Sequence, residues 1–138
     1  GNEWVAGSVQ QTANSIGYVE LIYAIQNKMT YGKVKNAAGE FVLASLAGVT
    51  AAAAGMKVMP DDFRVSITNA PGKGVYPISS FTWLLIPSKI ADPAKKKAIK
   101  DFLAWMLTDG QKMTEALSYA PLPKAVVTKE LKAIDKIQ

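Results

Sequence analysis

The 138-residue chain contains no cysteine and no histidine. Without cysteine there are no disulfide bonds and no thiolate metal sites, which fits either redox compartment. Without histidine the chain cannot build a Ser-His-Asp triad or a His-ligated metal centre by itself. Arginine is also scarce, since Arg64 is the only one. This scarcity argues against nucleic acid as a partner, because arginine is the preferred reader of bases and phosphates.

Long apolar runs and catalytic motifs are missing as well. No run reaches the roughly 18 residues that a membrane-spanning helix needs. The first residue is glycine and no signal-peptide pattern follows it, so we expect the sequence to be the middle of a longer protein. There is no G-x-G-x-x-G, no P-loop, no G-x-S-x-G and no cluster of metal ligands. We therefore predict no enzyme activity, no catalytic residue, no cofactor and no metal.

The charge is unevenly placed along the chain. Residues 1–70 carry five basic and five acidic side chains, whereas residues 71–138 carry eleven lysines and six acids. The second half thus holds the whole net charge of +5. Such a half could steer an anionic ligand or bind nucleic acid or a protein partner. The alternative is an ordinary solvated surface dotted with lysines.

Hydrophobic spacing and turn residues predict a mixed α/β order. Asn2, Ser45 and Asp92 are predicted helix caps, and Pro93 suits the first position of a helix. Ile99, Phe102, Leu103 and Met106 follow helical spacing. The predicted helices cover residues 2–12, 21–27, 45–54, the region from 93 through 106, 111–117, and a last helix around 127–134. The predicted strands cover residues 16–20, a hairpin of 33–35 with 40–42, then 63–68 and 83–86.

The densest apolar stretch lies between Pro77 and Pro87. Its residues 83–86 predict a strand buried on both faces, as in a sheet covered by helices. A loop rich in proline and glycine, residues 70–74, precedes it. This arrangement suggests a passage from one lobe of a larger protein into another. A plain core strand after a plain loop is the alternative.

Three residues are candidate ligand contacts, although no motif marks them. Asn2 lies at the predicted start of the first helix, where free N–H groups can bind an anion. The hydroxyls of Ser79 and Ser80 could donate hydrogen bonds to an oxyanion, but such hydroxyls also satisfy backbone groups. Glu20, at the end of a predicted strand, could orient a site.

Several stretches resemble the periplasmic phosphate-binding proteins of phosphate ABC transporters. They are Gly1-Asn2-Glu3, Val9-Gln10-Gln11-Thr12, Ser15-Ile16-Gly17-Tyr18-Val19-Glu20, Tyr76-Pro77-Ile78-Ser79-Ser80-Phe81-Thr82 and Leu117-Ser118-Tyr119-Ala120-Pro121-Leu122-Pro123. They follow the family's order over essentially the whole chain. Trp4 departs from the pattern, because a small residue, usually glycine, is expected there.

The resemblance implies parts of two lobes of a type II periplasmic-binding-protein fold, with a mixed sheet covered by helices. Phosphate lies in the cleft, and the lobes close around it like a hinge. Residues 1–70 would be the C-terminal part of the second lobe, residues 71–80 the hinge or crossover, and residues 81–138 the C-terminal part of the first lobe. The partners would be inorganic phosphate and a membrane ABC permease, in a periplasmic or extracytoplasmic location.

The family's phosphate contacts come from a Thr/Phe loop, a Ser, an Asp, and an Arg with a Ser-Gly-Thr loop. By the resemblance all of them lie upstream of what matches Gly1, so none is carried onto this sequence. We therefore expect a C-terminal fragment that gives scaffold and hinge rather than the ligand shell. A missing N-terminal portion or a second copy of the chain would complete it. The alternative is a free-standing basic interaction domain that binds nucleic acid or a protein.

Overall fold

The computed structural model describes residues 1–56 and 58–138, so Lys57, which enters the charge count, lies outside the described residues. Within this part of the chain, helices and one small sheet give the α/β composition that the sequence predicts. The α-helices are α1 (Asn2–Gln11), α2 (Leu21–Gln26), α3 (Leu46–Ala54), α4 (Pro93–Leu107) and α5 (Lys124–Ile134). Two 3-10 helices, Asp109–Met113 and Glu115–Leu117, lie between α4 and α5.

The predicted hairpin is confirmed. Strand β1 (Val34–Lys35) pairs antiparallel with β2 (Phe41–Val42), with Val34 opposite Val42 and Lys35 opposite Phe41. Gly39 in the connecting turn has a φ of +82°, a conformation that glycine adopts without steric cost. This pair is the sheet of the described residues.

The first helix forms where it was predicted, but its cap differs. Gly1 is the N-cap residue and Asn2 is the first helical residue, so the prediction that Asn2 caps the helix is wrong. Helix α2 packs against α1. Residues 16–20 are not a strand, since Ile16 and Tyr18 are 97% and 92% exposed and no neighbouring strand pairs with them in the described chain.

Helix α3 and the segment after it form the main core. The Ser45 hydroxyl oxygen accepts the Gly48 N–H at 3.1 Å, which confirms Ser45 as a helix cap. The buried cluster consists of Ala52, Ala53, Ile67, Ala70 and Val75, with Phe81 packed against it. The buried residues of α3 are the small Gly48, Ala52 and Ala53, whereas the larger Leu46 and Val49 are only half-buried.

Residues 63–68 alternate in burial, as the residues of a half-buried strand do, but they do not form the predicted strand. Phe63 and Val65 are half-buried and Ile67 is buried, whereas the residues between them are exposed. Phe63 has a φ of +60°, which no regular strand contains. The inward face was therefore predictable from the sequence, and the strand pairing was not.

The prediction of a doubly buried strand at residues 83–86 is wrong for the described structure. Trp83, Leu84, Leu85 and Ile86 are 45%, 52%, 95% and 37% exposed, and the segment has no strand assignment. The rings of Trp83 and Phe81 meet edge-on, with their centres 6.1 Å apart. The Trp83 indole N–H donates to the Phe63 carbonyl at 3.2 Å. The described residues bring no second strand and no covering helix to this segment.

Helix α4 begins as predicted, because Asp92 accepts the N–H groups of Ala94 and Lys95 at 2.9 and 3.2 Å. Leu103 and Leu107 are its buried residues. Phe102, predicted on the core stripe, is instead 56% exposed and stacks on Trp105 with ring centres 5.9 Å apart. The predicted helix at 111–117 is replaced by the two 3-10 helices, the first of which has Thr108 at its N-cap. Helix α5 forms as predicted and packs against α4.

A substitution at Gly17 tests how closely residues 16–20 pack against α1. A methyl group at Gly17 would lie 2.7 Å from Val9 Cγ2 and 3.0 Å from Val5 Cγ1. We expect Gly17→Ala to lower the free energy of unfolding in urea by about 1 kcal/mol, through overpacking. Gly7→Ala is the matched control, because Gly7 is helical and has open space around it. It should raise stability by about 0.5–1 kcal/mol. The reverse order would contradict the packing.

Candidate functional site

The loop of residues 69–80, which we call the anchored loop, contains two of the candidate ligand residues and the predicted hinge. Its ends are closed on each other, since the Asn69 N–H donates to the Pro77 carbonyl at 2.7 Å. The Tyr76 N–H donates to the Gly48 carbonyl of α3 at 3.2 Å. Gly72 and Gly74 have φ values of +132° and +68°, which other residues rarely adopt. Backbone contacts thus hold the loop against α3.

Two side chains of the β1–β2 hairpin hold the same loop from the other side. The Glu40 carboxylate accepts the Gly74 N–H at 2.7 Å. The Asn36 amide donates to Glu40 at 3.2 Å and to the Val75 carbonyl at 3.2 Å. The Asn36 side-chain oxygen in turn accepts the N–H groups of Ala38 and Glu40 at 3.0 and 2.9 Å. Asn36 is only 5% exposed, so losing these partners would leave buried polar groups unsatisfied.

The electrostatics follow from this geometry. The Gly74 N–H lowers the pKa of Glu40 below its ordinary value, and the Asn36 amide and nearby Lys73 act in the same direction. Hydrogen bonds and a positive charge favour the ionised carboxyl. Glu40 therefore remains a carboxylate at neutral pH and acts as an acceptor for the loop.

The structure gives Ser79 and Ser80 different surroundings. Ser79 is 3% exposed, and its hydroxyl donates to the Tyr76 carbonyl at 2.7 Å. Its own carbonyl accepts the hydroxyl of Thr68 at 3.4 Å. Ser80 is exposed, and its hydroxyl donates to the Phe81 carbonyl at 3.1 Å. In this conformation both hydroxyl protons are bonded to backbone carbonyls, so neither is directed at an oxyanion.

Asn2 lies away from this hydrogen-bond network, at the start of α1. The side chain of Glu3 folds back towards Gly1, and its carboxylate accepts the Tyr23 hydroxyl at 3.2 Å. Glu3 raises the pKa of Tyr23 through that hydrogen bond and its charge. Glu3 places a negative charge in the first turn of α1, which disfavours an anionic ligand at this helix end. No side-chain hydrogen bond joins Asn2 to Ser79 or Ser80 in the described residues.

Three lysines of the lysine-rich half have acidic partners. Lys97 pairs with Asp101 at 2.6 Å, and Lys112 pairs with Asp109 at 2.7 Å. Lys129 pairs with Asp61 at 2.9 Å. Over the described residues, no three His, Cys, Asp or Glu side chains are grouped for a metal ion. The same residues contain no helix that is long and apolar enough to cross a membrane.

The Asn36–Glu40 contacts are the part of this site that sequence reasoning missed. An asparagine before a glycine turn does predict the local bonds within the hairpin. The contacts to Gly74 and Val75 span 34 and 39 residues. Nothing in the local pattern indicates them.

Comparison with known proteins identifies the class. The model of a family described as "PBP superfamily domain" matches residues 1–110, and the chain belongs to this superfamily. The resemblance seen in the sequence is thereby confirmed. Among curated relatives, the phosphate-binding protein PstS of Xylella fastidiosa is 46% identical over 128 residues, which cover 92% of this chain and 35% of the relative.

Two further relatives carry the same name. The phosphate-binding protein PstS of Methanocaldococcus jannaschii is 36% identical over 151 residues, with 100% of this chain and 39% of the relative covered. That of Pasteurella multocida is 35% identical over 130 residues, with 94% and 38% covered. The chain therefore spans little more than a third of the length of these relatives.

Ser79→Ala distinguishes a structural hydroxyl from a ligand contact. The substitution removes the donor to the Tyr76 carbonyl, so we expect the free energy of unfolding to fall by about 1 kcal/mol. Ser80→Ala is the control and should change stability by less than about 0.5 kcal/mol, because Ser80 is exposed. Urea unfolding of both variants measures this. Unchanged stability in Ser79→Ala would mean that the hydroxyl is free for another partner.

The Glu40 contact predicts a pH dependence with a definite sign. Since the pKa of Glu40 is lowered in the folded chain, its stabilising contribution is complete above the unfolded pKa and is lost as pH falls through the folded pKa. The Gly74 amide proton, followed by NMR, should titrate with a midpoint below 4.5, the ordinary value for Glu. Glu40→Gln should abolish this step, and Glu115→Gln should leave it unchanged. A midpoint at or above 4.5 would contradict the contact.

Proposed function

We propose that this chain is a C-terminal part of the substrate-binding component of an ABC importer for inorganic phosphate. The observation that carries the proposal is the similarity of 92–100% of the chain to three proteins named as phosphate-binding. The relatives are named for binding rather than for a reaction, which supports a transport role over an enzymatic one. The proposed partners are phosphate and a membrane permease, in a periplasmic or extracytoplasmic location.

Within that component, the proposed role of this chain is scaffold and hinge rather than ligand shell. The surroundings of the three candidate ligand residues support a structural role over a ligand-binding one. The hydroxyls of Ser79 and Ser80 are bonded to backbone carbonyls, and Asn2 shares the first turn of α1 with the acidic Glu3. A phosphate site needs several convergent N–H and O–H donors. The length of the relatives that this chain does not match is where we expect those donors.

The contacts of the anchored loop support a more specific position for the hinge. The partners of residues 74–79 are Asn36, Glu40, Gly48, Thr68 and Asn69, which all belong to the proposed 1–70 unit. A loop bonded to one unit moves with that unit. Phe81 packs against the core of the same unit, and the Trp83 indole donates to the Phe63 carbonyl, so these two residues also move with the 1–70 unit. We propose that bending between the units takes place after Trp83, beyond the sequence-based hinge at residues 71–80.

Calorimetric titration tests the proposed role directly. The 138-residue chain is titrated with phosphate and, separately, with sulfate, and the full-length Xylella fastidiosa relative serves as the control. We expect saturable phosphate heat from the relative and none from the chain. Phosphate binding by the chain that withstands excess sulfate would overturn the scaffold role. Absence of phosphate binding by the relative would overturn the transport proposal itself.

The same preparation tests the alternative of a basic interaction domain. Binding of RNA or DNA by opposite-charge attraction falls steeply with salt. Retention of nucleic acid at low salt, with such a slope, would favour the alternative. We expect no retention, because three of the lysines in the basic half already have acidic partners.

A further inference from the structure

We infer that residues 119–129 form a strap that holds the proposed 1–70 unit against α4 and limits how far the two separate. The strap lies beyond the residues that the family model matches, 1–110. It comprises the Tyr119–Pro123 link and the first turns of α5. Residues of the strap contact residues of the first half of the chain that are far apart from one another in sequence.

Polar contacts join the strap to that half at three places. The Tyr119 hydroxyl donates to Glu20 at 3.5 Å. The Thr50 hydroxyl of α3 donates to the Pro121 carbonyl at 3.3 Å. The ammonium of Lys129 pairs with Asp61 at 2.9 Å and donates to the Met59 carbonyl. The paired residues are separated in sequence by between 68 positions, for Lys129 and Asp61 (129 − 61), and 99 positions, for Tyr119 and Glu20. The contacts are therefore tertiary and not local.

Apolar residues line a groove between the strap and α3. Val126 is 6% exposed. Pro123, Val126 and Lys129 follow each other at three-residue spacing, which places them on one face of α5. A groove of about 260 Å³ lies between this face and the end of α3, lined by Ala53, Ala54, Met56, Met59, Pro123, Ala125 and Val126. The strap therefore faces α3 across this groove, and the Thr50–Pro121 hydrogen bond joins the two.

The rest of α5 is attached to the other unit. The helix packs against α4, and the Lys100 ammonium of α4 reaches the Asp135 carbonyl just after α5 at 3.5 Å. One rigid helix thus contacts both units. Any displacement of α4 away from α3 has to break contacts at one end of α5 or the other.

The contacts of the strap are weak enough to break. Asp61 is 86% exposed at its side chain, and exposed ion pairs are individually weak. If the proposed function is right, opening and closing of the ligand cleft alters these contacts, so the strap biases the equilibrium between the two states. That consequence rests on the proposed function, whereas the restraint itself does not.

The absence of cysteine allows a direct distance measurement on the whole chain. Ala47→Cys on α3 and Ala98→Cys on α4, both exposed, carry one spin label each. Pulsed electron spin resonance then gives the distribution of distances between the two units. We expect one narrow distribution with the native strap, and a broader one after Lys129→Met. Lys132→Met is the matched control, since Lys132 is exposed on the same helix, and should leave the distribution narrow.

Two further variants keep the test decisive. Thr50→Val removes a separate contact of the strap and should also broaden the distribution, even if Lys129→Met lowers the helix content of the chain. The charge swap Asp61→Lys with Lys129→Asp should restore part of the narrow distribution. Equal distributions in all variants, or equal broadening in Lys132→Met, would overturn the strap. No phosphate is present in this experiment, so its failure leaves the proposed function untouched, and a failed titration leaves the strap untouched.

Discussion

The hydrogen bond from the Gly74 N–H to the Glu40 carboxylate, at 2.7 Å, is the constraint on which the central part of the structure depends. It fixes a loop whose glycines adopt positive φ and which has no regular structure of its own. The loop carries Ala70 and Val75 into the core beside Ala52 and Ile67. A core built mostly of alanines is shallow, so its closure depends on polar contacts at the edge as well as on apolar burial.

Residues 83–86, which follow the anchored loop, are apolar but poorly covered. Leu85 is 95% exposed, and a leucine left in water forgoes about 1.5–3 kcal/mol of burial free energy. Its neighbours Trp83, Leu84 and Ile86 are also partly exposed, and a whole domain is stable by only about 5–15 kcal/mol. In the proposed binding component, the length of the protein that this chain does not match would cover that face. The contrast agrees with a division between an anchored loop and an uncovered apolar segment.

The features that could be predicted from the sequence are those that depend on residues close together in the chain. The caps at Ser45 and Asp92 and the hairpin turn at residues 36–39 were predicted correctly, because their partners lie within four residues. The strands at 16–20, 63–68 and 83–86 were not, because a strand exists only through a partner elsewhere in the chain. The Glu40–Gly74 contact was missed for the same reason. The candidate ligand residues were chosen by residue type, and their bonds to carbonyls depend on the fold of the loop.

Amide hydrogen exchange of the 138-residue chain tests the central claim, that residues 69–80 are held by the first half of the chain while residues 83–86 are uncovered. The amides of Asn69, Gly74 and Tyr76 each have a hydrogen-bond acceptor. Those of Leu84 and Leu85 have no backbone acceptor in the described residues. Slow exchange at the first three and fast exchange at the other two is the predicted result. Equal exchange rates in the two groups, or protection at Leu84 and Leu85 alone, would contradict the account.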